Sequence, residues 1–221
     1  MAQETEIKLR IRDTKAFLRL LKKLGGVPGI SGVGRVHEEN LIFDTPEGGL
    51  AKHGQLLRIR TETPEKPAKG NSLKGRRVVL TFKRPAEPTG ARPPDGNSYA
   101  RHKIREEIEV EVADGGVLTK IFEGLGMRGW FRYEKYRTTF KLPASKKWAT
   151  GLLIELDETP IGTFVELEGP GEAIDRAAEK FGYSKRDYVL RNYLTLYAED
   201  CRRRGEQPTD MVFQKRKASA K

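Results

Sequence analysis

Glu4, Glu6, Lys8 and Arg10 stand at every second position near the start of the chain. Residues two apart share a face of an extended strand, so this stretch would carry one ionisable face and one apolar face of Thr5, Ile7, Leu9 and Ile11. The same division recurs: Arg58 and Arg60 oppose Leu57 and Ile59, and Thr81 and Lys83 oppose Leu80 and Phe82. Further on, Arg105, Glu107, Glu109 and Glu111 oppose Ile108 and Val110, Glu155 and Asp157 oppose Ile154 and Leu156, and Glu166 and Glu168 oppose Val165 and Leu167. Like charges side by side repel and gain nothing from a sheet unless a partner sits between them. Paired carboxylates are hard oxygen donors suited to Mg²⁺ or Mn²⁺, while rows of Arg and Lys suit phosphate oxygens. A chain of three phosphates carries roughly four negative charges near neutral pH and would bridge the two kinds of row through metal. One cysteine, Cys201, and three scattered histidines argue against zinc or copper.

These side chains need elements to hold them. Alternation predicts strands at 3–12, 36–44, 55–62, 76–84, 104–112, 129–142, 150–157 and 162–169. Helical patterns run from Asp13-Thr14 to Leu24, from Asp114 to Gly124, from Gly169-Pro170 to Phe181, and from a Ser184 cap to Arg204. An ordinary antiparallel sheet, one face on a core and one in water, also alternates. Its water face would be mixed in composition, whereas these polar columns are almost wholly Glu, Asp, Arg and Lys. Closing eight strands on themselves turns the charged columns into a lining and leaves the apolar exterior for helices to cover. The expected fold is α+β, a closed eight-stranded antiparallel β barrel with a charged lumen.

The 221 residues, 37% hydrophobic, fit one domain, placed at 1–204, followed by a basic tail at 205–221 that has little to bury and is expected to be disordered. The net charge of +11 invites a nucleic-acid reading. Most of that surplus, however, lies in the segments 62–77, 84–104 and 202–221, read as loops and a tail, which disfavours nucleic acid as the partner of the ordered body. No apolar run reaches the 18 residues a membrane span needs, and the lone cysteine fits a reduced compartment, so a cytoplasmic protein without a membrane partner is expected. VPGISGVGR at 27–35 is glycine-rich but lacks the GK[ST] ending of a phosphate-binding loop and reads as a connection. Nothing in the pattern fixes an oligomeric state.

Several segments, taken in order, resemble the CYTH superfamily of triphosphate tunnel metalloenzymes, which includes class IV adenylyl cyclases, thiamine triphosphatases and inorganic triphosphatases. Glu4-Thr-Glu6-Ile-Lys8 is similar to the family's ExExK signature, and NLIFDTPEGGL, LLRIR, LTFKRP, REEIEVE, YEKYR and LLIELDETPIGTFVELEG follow in family order as far as residue 169. The resemblance implies a tunnel holding a triphosphate small molecule along its axis, with Mg²⁺ or Mn²⁺ as cofactor and two ions expected. It implies metal binding by Glu4, Glu6, Glu166 and Glu168, aided by Glu109 and Asp157. It implies phosphate binding by Lys8, Arg58, Arg60, Lys83, Arg105, Lys135, Arg137 and Lys185, with Glu4, Glu6 and Lys8 at the centre of catalysis. Where many members read YFDTP, this chain has Ile42 before Phe43-Asp44-Thr45-Pro46.

Three activities fit such a lumen. Hydrolysis of a triphosphate (tripolyphosphate, thiamine triphosphate or a nucleoside triphosphate) to diphosphate and orthophosphate needs metal, water and a phosphate clamp. A class IV adenylyl cyclase must also hold the ribose in line, and no aromatic or amide cluster at a motif position is seen to read a base. Cyclases of this type often carry His-Phe before the signature, where this chain has Met1-Ala2-Gln3, which leans towards hydrolysis. A non-catalytic polyphosphate or nucleic-acid binding module would bind with strong salt dependence and turn nothing over.

Overall fold

The computed structural model describes residues 2–28, 34–65, 75–86 and 102–214. The chain runs β1 (Ala2–Ile11), α1 (Thr14–Lys23), the two-residue β2 (Val27–Pro28), β3 (Arg35–Asp44), α2 (Gly49–Lys52), β4 (Leu56–Pro64), β5 (Arg77–Pro85), β6 (Lys103–Glu111) and α3 (Gly115–Gly124). It continues through β7 (Arg128–Lys141), β8 (Leu153–Thr159), β9 (Gly162–Glu168), α4 (Gly171–Lys180) and α5 (Tyr193–Arg204). The ladder passes β7-β3-β4-β5-β6-β1-β9-β8 and returns through a β7–β8 pairing, so eight antiparallel strands close a barrel. β2 pairs with the end of β7, Val27 opposite Lys141. The predicted barrel is therefore the observed one.

Register puts the charged columns inside. Lys8 faces Glu166 and Glu6 faces Glu168 across β1 and β9, while Glu38 faces Lys135 across β3 and β7. The opposite column carries the apolar packing. Ile7, Leu9, Ile154, Val165 and Leu167 are buried outside the barrel against Phe17 and Leu21 of α1 and Ile174, Ala177 and Ala178 of α4. Each such Leu, Ile or Val contributes about 1.5–3 kcal/mol when fully buried. On the next flank Leu118 and Phe122 of α3 pack on Phe43, Ile59 and Val78. The helices start where polar side chains can take their free amides: Asp13 accepts from Ala16, and Asp114 from Gly116 and Val117.

Two expectations are corrected. The helix expected from Ser184 to Arg204 is split: Ser184 and Asp187 cap a single 3₁₀ turn, Lys185–Asp187, and Asn192 caps α5 through Thr195. Between them Val189 pairs with Lys8, each amide donating to the other's carbonyl. β6 accompanies β1 only from Ala2 to Glu6, and the edge left at Lys8 takes this segment as a partner instead. The second correction concerns the tail. Met211 is fully buried against α5, bridges to Tyr133 and exchanges backbone hydrogen bonds with Arg132 and Glu134. β8 reaches β7 only at 136–140, so the 132–134 edge of β7 is free to bind residues 210–211. Residues 215–221 lie outside the described residues, as do 29–33 of the glycine-rich connection and 66–74 and 87–101 of the two basic loops. No helix among the described residues is long and apolar enough to cross a membrane.

Candidate active site

A cavity of about 450 Å³ occupies the lumen, lined by Glu4, Glu6 and Lys8 from β1, Arg58 and Arg60 from β4, Lys83 from β5, Lys103, Arg105, Glu107 and Glu109 from β6, Lys135 and Arg137 from β7, Glu155 from β8, and Glu166 and Glu168 from β9. Their inward direction follows from strand parity alone. Of the predicted site residues, all but Asp157 and Lys185 line it.

Part of the lumen is neutralised by the protein itself. Lys8 Nζ lies 3.3 Å from Glu6 Oε1 and 3.2 Å from Glu166 Oε1, and Lys103 also pairs with Glu6. Burial opposes the charge on Glu6, but Lys8 and Lys103 outweigh it and hold its pKa at about 2. Glu166 is likewise buried yet held well below the usual carboxylate range by Lys8 and Arg137. Desolvation alone would lower Lys8, but the two carboxylates raise it above an ordinary lysine. Arg60 donates to Glu109 at 3.0 Å, and Arg58 donates to the Tyr133 hydroxyl at 3.0 Å and to Thr81 at 3.1 Å.

Asp157 is fully buried behind the lining. It accepts from Lys135 Nζ at 2.9 Å, from Arg137 Nε at 2.7 Å and from the Tyr193 hydroxyl at 2.7 Å. With three donors around it, Asp157 orients the two cations; it does not face the cavity as the metal ligand expected of it. Lys185 is on the outside, half-exposed and 3.2 Å from Asp175, which also takes His102 and the Tyr188 hydroxyl. The turn that carries Lys185 packs beside α4, away from the lumen. Asp44 explains the FDTP segment: its carboxylate accepts from the amides of Thr45, Leu50 and Ala51 and pins α2 at the barrel rim.

The remaining carboxylates are strained. Burial, then the neighbouring Glu155 and Glu4, push Glu168 up to about 8, and among the described residues its side chain has no hydrogen bond or ion pair. Burial and the charges of Glu166 and Asp157 overcome Arg137 to push Glu155 up to about 7. Glu4 is held by Lys83 at 2.7 Å, and Glu107 by the same ammonium at 3.0 Å. No three carboxylates converge as a ready-made metal cage among the described residues. The donor set nevertheless fits a hard divalent cation: it is all oxygen, burial and repulsion at Glu168 and Glu155 are poorly offset by the protein's own cations, and it borders the cationic rows. Arg58, which lines the same cavity, has its Nε buried without a hydrogen-bond partner.

Sequence reasoning missed Glu38, Lys103, Glu107, Glu155 and Tyr193. Glu107 and Glu155 sat in columns already read as ionisable, and Lys103 lay one residue before the expected start of its strand. Glu38 is buried among cations at ion-pair distance: Lys135 at 3.4 Å, Arg137 at 3.7 Å and Arg60 at 3.8 Å. The cavity also has an aromatic and amide side, with Trp130, Gln55, Asn192 and Tyr193 among its lining, which sequence alone did not reveal.

A family model described as the CYTH domain matches residues 2–193, nearly the whole chain. The chain belongs to the CYTH domain family. A Methanocaldococcus jannaschii protein, provisionally named an adenylate cyclase, is 26% identical over 198 residues, covering 87% of this chain and 97% of its own. A solved Pyrococcus horikoshii structure superposes with a TM-score of 0.64 at 22% identity, covering 89% and 99% of the two chains. A Hippeastrum protein, described as a candidate adenylyl cyclase with a dominant triphosphatase activity, superposes at 0.50 with 22% identity over 93% and 97%. These likenesses establish the CYTH barrel.

Proposed function

We propose that the chain hydrolyses the terminal phosphoanhydride of a triphosphate, releasing diphosphate and orthophosphate with the help of Mg²⁺ or Mn²⁺. The observation that carries this reading is the meeting, in one cavity, of carboxylates whose burial and repulsion are poorly offset, Glu168 foremost, with a dense set of cations. Lys8, Lys83, Lys103, Arg58, Arg60, Arg105 and Arg137 would hold the phosphate oxygens, and Lys135, fixed by Asp157, would add charge behind them. Glu168, with Glu4, Glu107 and Glu155 beside it, would hold a divalent cation. Once Lys8 and Lys103 turn to phosphate, Glu6 and Glu166 would be released to hold a second. Such a cation supplies charge neutralisation and an acidified water. The arginines and lysines then stabilise charge as the terminal phosphate departs from its bridging oxygen.

The triphosphatase activity in the description of the Hippeastrum relative supports hydrolysis. The name of the Methanocaldococcus relative favours a second reading, cyclisation of ATP to cyclic AMP and pyrophosphate. The purified protein with Mg²⁺ or Mn²⁺ should convert tripolyphosphate, thiamine triphosphate or ATP to a diphosphate and orthophosphate, resolved by anion-exchange chromatography. Cyclic AMP and pyrophosphate as the main products from ATP would transfer the assignment to cyclase.

A further inference from the structure

One wall of the lumenal cavity has a chemistry that phosphate does not require. β3 ends at Asp44, β4 begins at Leu56 and β7 begins at Arg128, so these three strand ends share one rim. The β3–β7 ladder slips there: Ile42 faces Phe131, but Phe43 faces Gly129, which leaves Trp130 as an extra residue. A bulge of this kind breaks alternation and re-aims a side chain. Trp130 lines the cavity together with Ile42, Leu56, Leu194 and Gln55.

Trp130 is 55% exposed and has no ring or cation neighbour among the described residues. The second tryptophan shows what a structural role looks like in this protein. Trp148 packs against the core beside α4, with the Arg176 guanidinium 5.3 Å and the Lys180 ammonium 5.5 Å from its ring. An uncovered indole beside aliphatic side chains, with the Gln55 amide on the same wall, is suited to a flat ring with polar atoms at its edge.

We propose that Trp130 is a specificity-determining residue that stacks on a planar heteroaromatic head group attached to the triphosphate, so that the preferred substrate is organic rather than inorganic. This rests on the triphosphate reading above and adds to it the group at the far end of the phosphate chain. The aliphatic residues would flank the ring, and Gln55 would meet its edge.

The test compares wild type, Trp130→Ala and Trp130→Phe, with kcat/KM measured for ATP, thiamine triphosphate and tripolyphosphate in Mg²⁺. Binding is measured separately, with the β,γ-imido analogue of ATP and with tripolyphosphate, by fluorescence of a Trp148→Phe protein in which Trp130 is the sole indole. Stacking on an aromatic side chain is worth about 1–3 kcal/mol per base, so Trp130→Ala should lower the ratio of heteroaromatic to tripolyphosphate kcat/KM by about tenfold. Trp130→Phe should restore most of that ratio, and the imido analogue should quench Trp130 where tripolyphosphate does not. Turnover with an unchanged ratio for both ATP and thiamine triphosphate would overturn the stacking role and leave hydrolysis standing. Selective quenching with no turnover of any compound would keep the stacking role and remove the hydrolase reading. No quenching by the imido analogue, with tripolyphosphate still turned over, would overturn the stacking role alone, and no quenching together with no turnover of any compound would overturn both.

Discussion

Glu6 and Glu168 face each other across β1 and β9, in one lumen, yet their acidities are driven in opposite directions. Both suffer from burial. Glu6 has Lys8 and Lys103 against it and falls to about 2, whereas Glu168 has Glu155 and Glu4 as its principal neighbours and rises to about 8. The comparison separates carboxylates already committed to the protein's own cations from those that still need one. Glu166 belongs with Glu6; Glu155 follows Glu168 in direction, because burial and the neighbouring Glu166 and Asp157 outweigh its ion pair with Arg137. Within a single charged lining, the pair whose burial and repulsion are least offset marks where an external cation would gain most.

The sharpest way to break this comparison is Glu168→Gln. The amide keeps the volume and removes the charge, so it relieves repulsion while taking away a cation donor. Activity in Mg²⁺ should fall on the order of 100-fold, the range seen when a group that stabilises transition-state charge is lost. The fold should survive, as judged by circular dichroism. Turnover near the wild-type level would show that Glu168 holds no cation.

Lys8→Met tests the committed side. It leaves Glu6 and Glu166 buried with their shared ammonium gone, and removing one partner of a buried ion pair typically costs about 3–5 kcal/mol. Urea denaturation should show that loss, while the Glu168→Gln protein is no less stable than wild type. Equal losses in both variants would mean the two sets of carboxylates do not differ.

Much of this was legible because side-chain parity in a strand needs no knowledge of its neighbours. Glu4, Glu6 and Lys8 could be placed on one face from sequence, and the excess of like charge said that the face needed a partner. Register was not legible. Asp157 and Glu155 share a column, and only the pairing of β8 with β7 decides that Asp157 sits behind Lys135 and Arg137 while Glu155 faces the cavity. Glu38 and Lys135 meet across strands nearly a hundred residues apart in sequence, a contact no local pattern encodes. Trp130 was hidden because a bulge suspends the alternation by which the charged lining columns were found. Met211 was hidden because a short segment of ordinary composition is ordered by an edge that other strands happen to leave open.

The smallest expected effect is also the most specific to the comparison. A carboxyl group with a raised folded-state pKa binds its proton more tightly in the native chain than in the unfolded one, so stability falls as pH rises through the interval between the two values. For Glu168 and Glu155 that interval runs from about 4.5 up to about 8 and about 7. For Glu6 and Glu38, both near 2, the sign reverses: their contribution is present above about 4.5 and is lost only as pH falls towards 2. The two windows therefore do not overlap. Without divalent cation, the melting temperature should decline by about 2–4 °C between pH 5 and pH 8, the shift about 1 kcal/mol makes in a protein of this size. Mg²⁺ at millimolar concentration should remove the decline, because it binds the ionised carboxylates and displaces their protons. Glu168→Gln should flatten the metal-free profile and reduce the Mg²⁺ effect, whereas a variant outside the lumen such as Lys185→Ala should leave both unchanged. A metal-free melting temperature that holds steady or climbs from pH 5 to pH 8 would mean that Glu168 and Glu155 do not hold their protons more tightly in the folded chain.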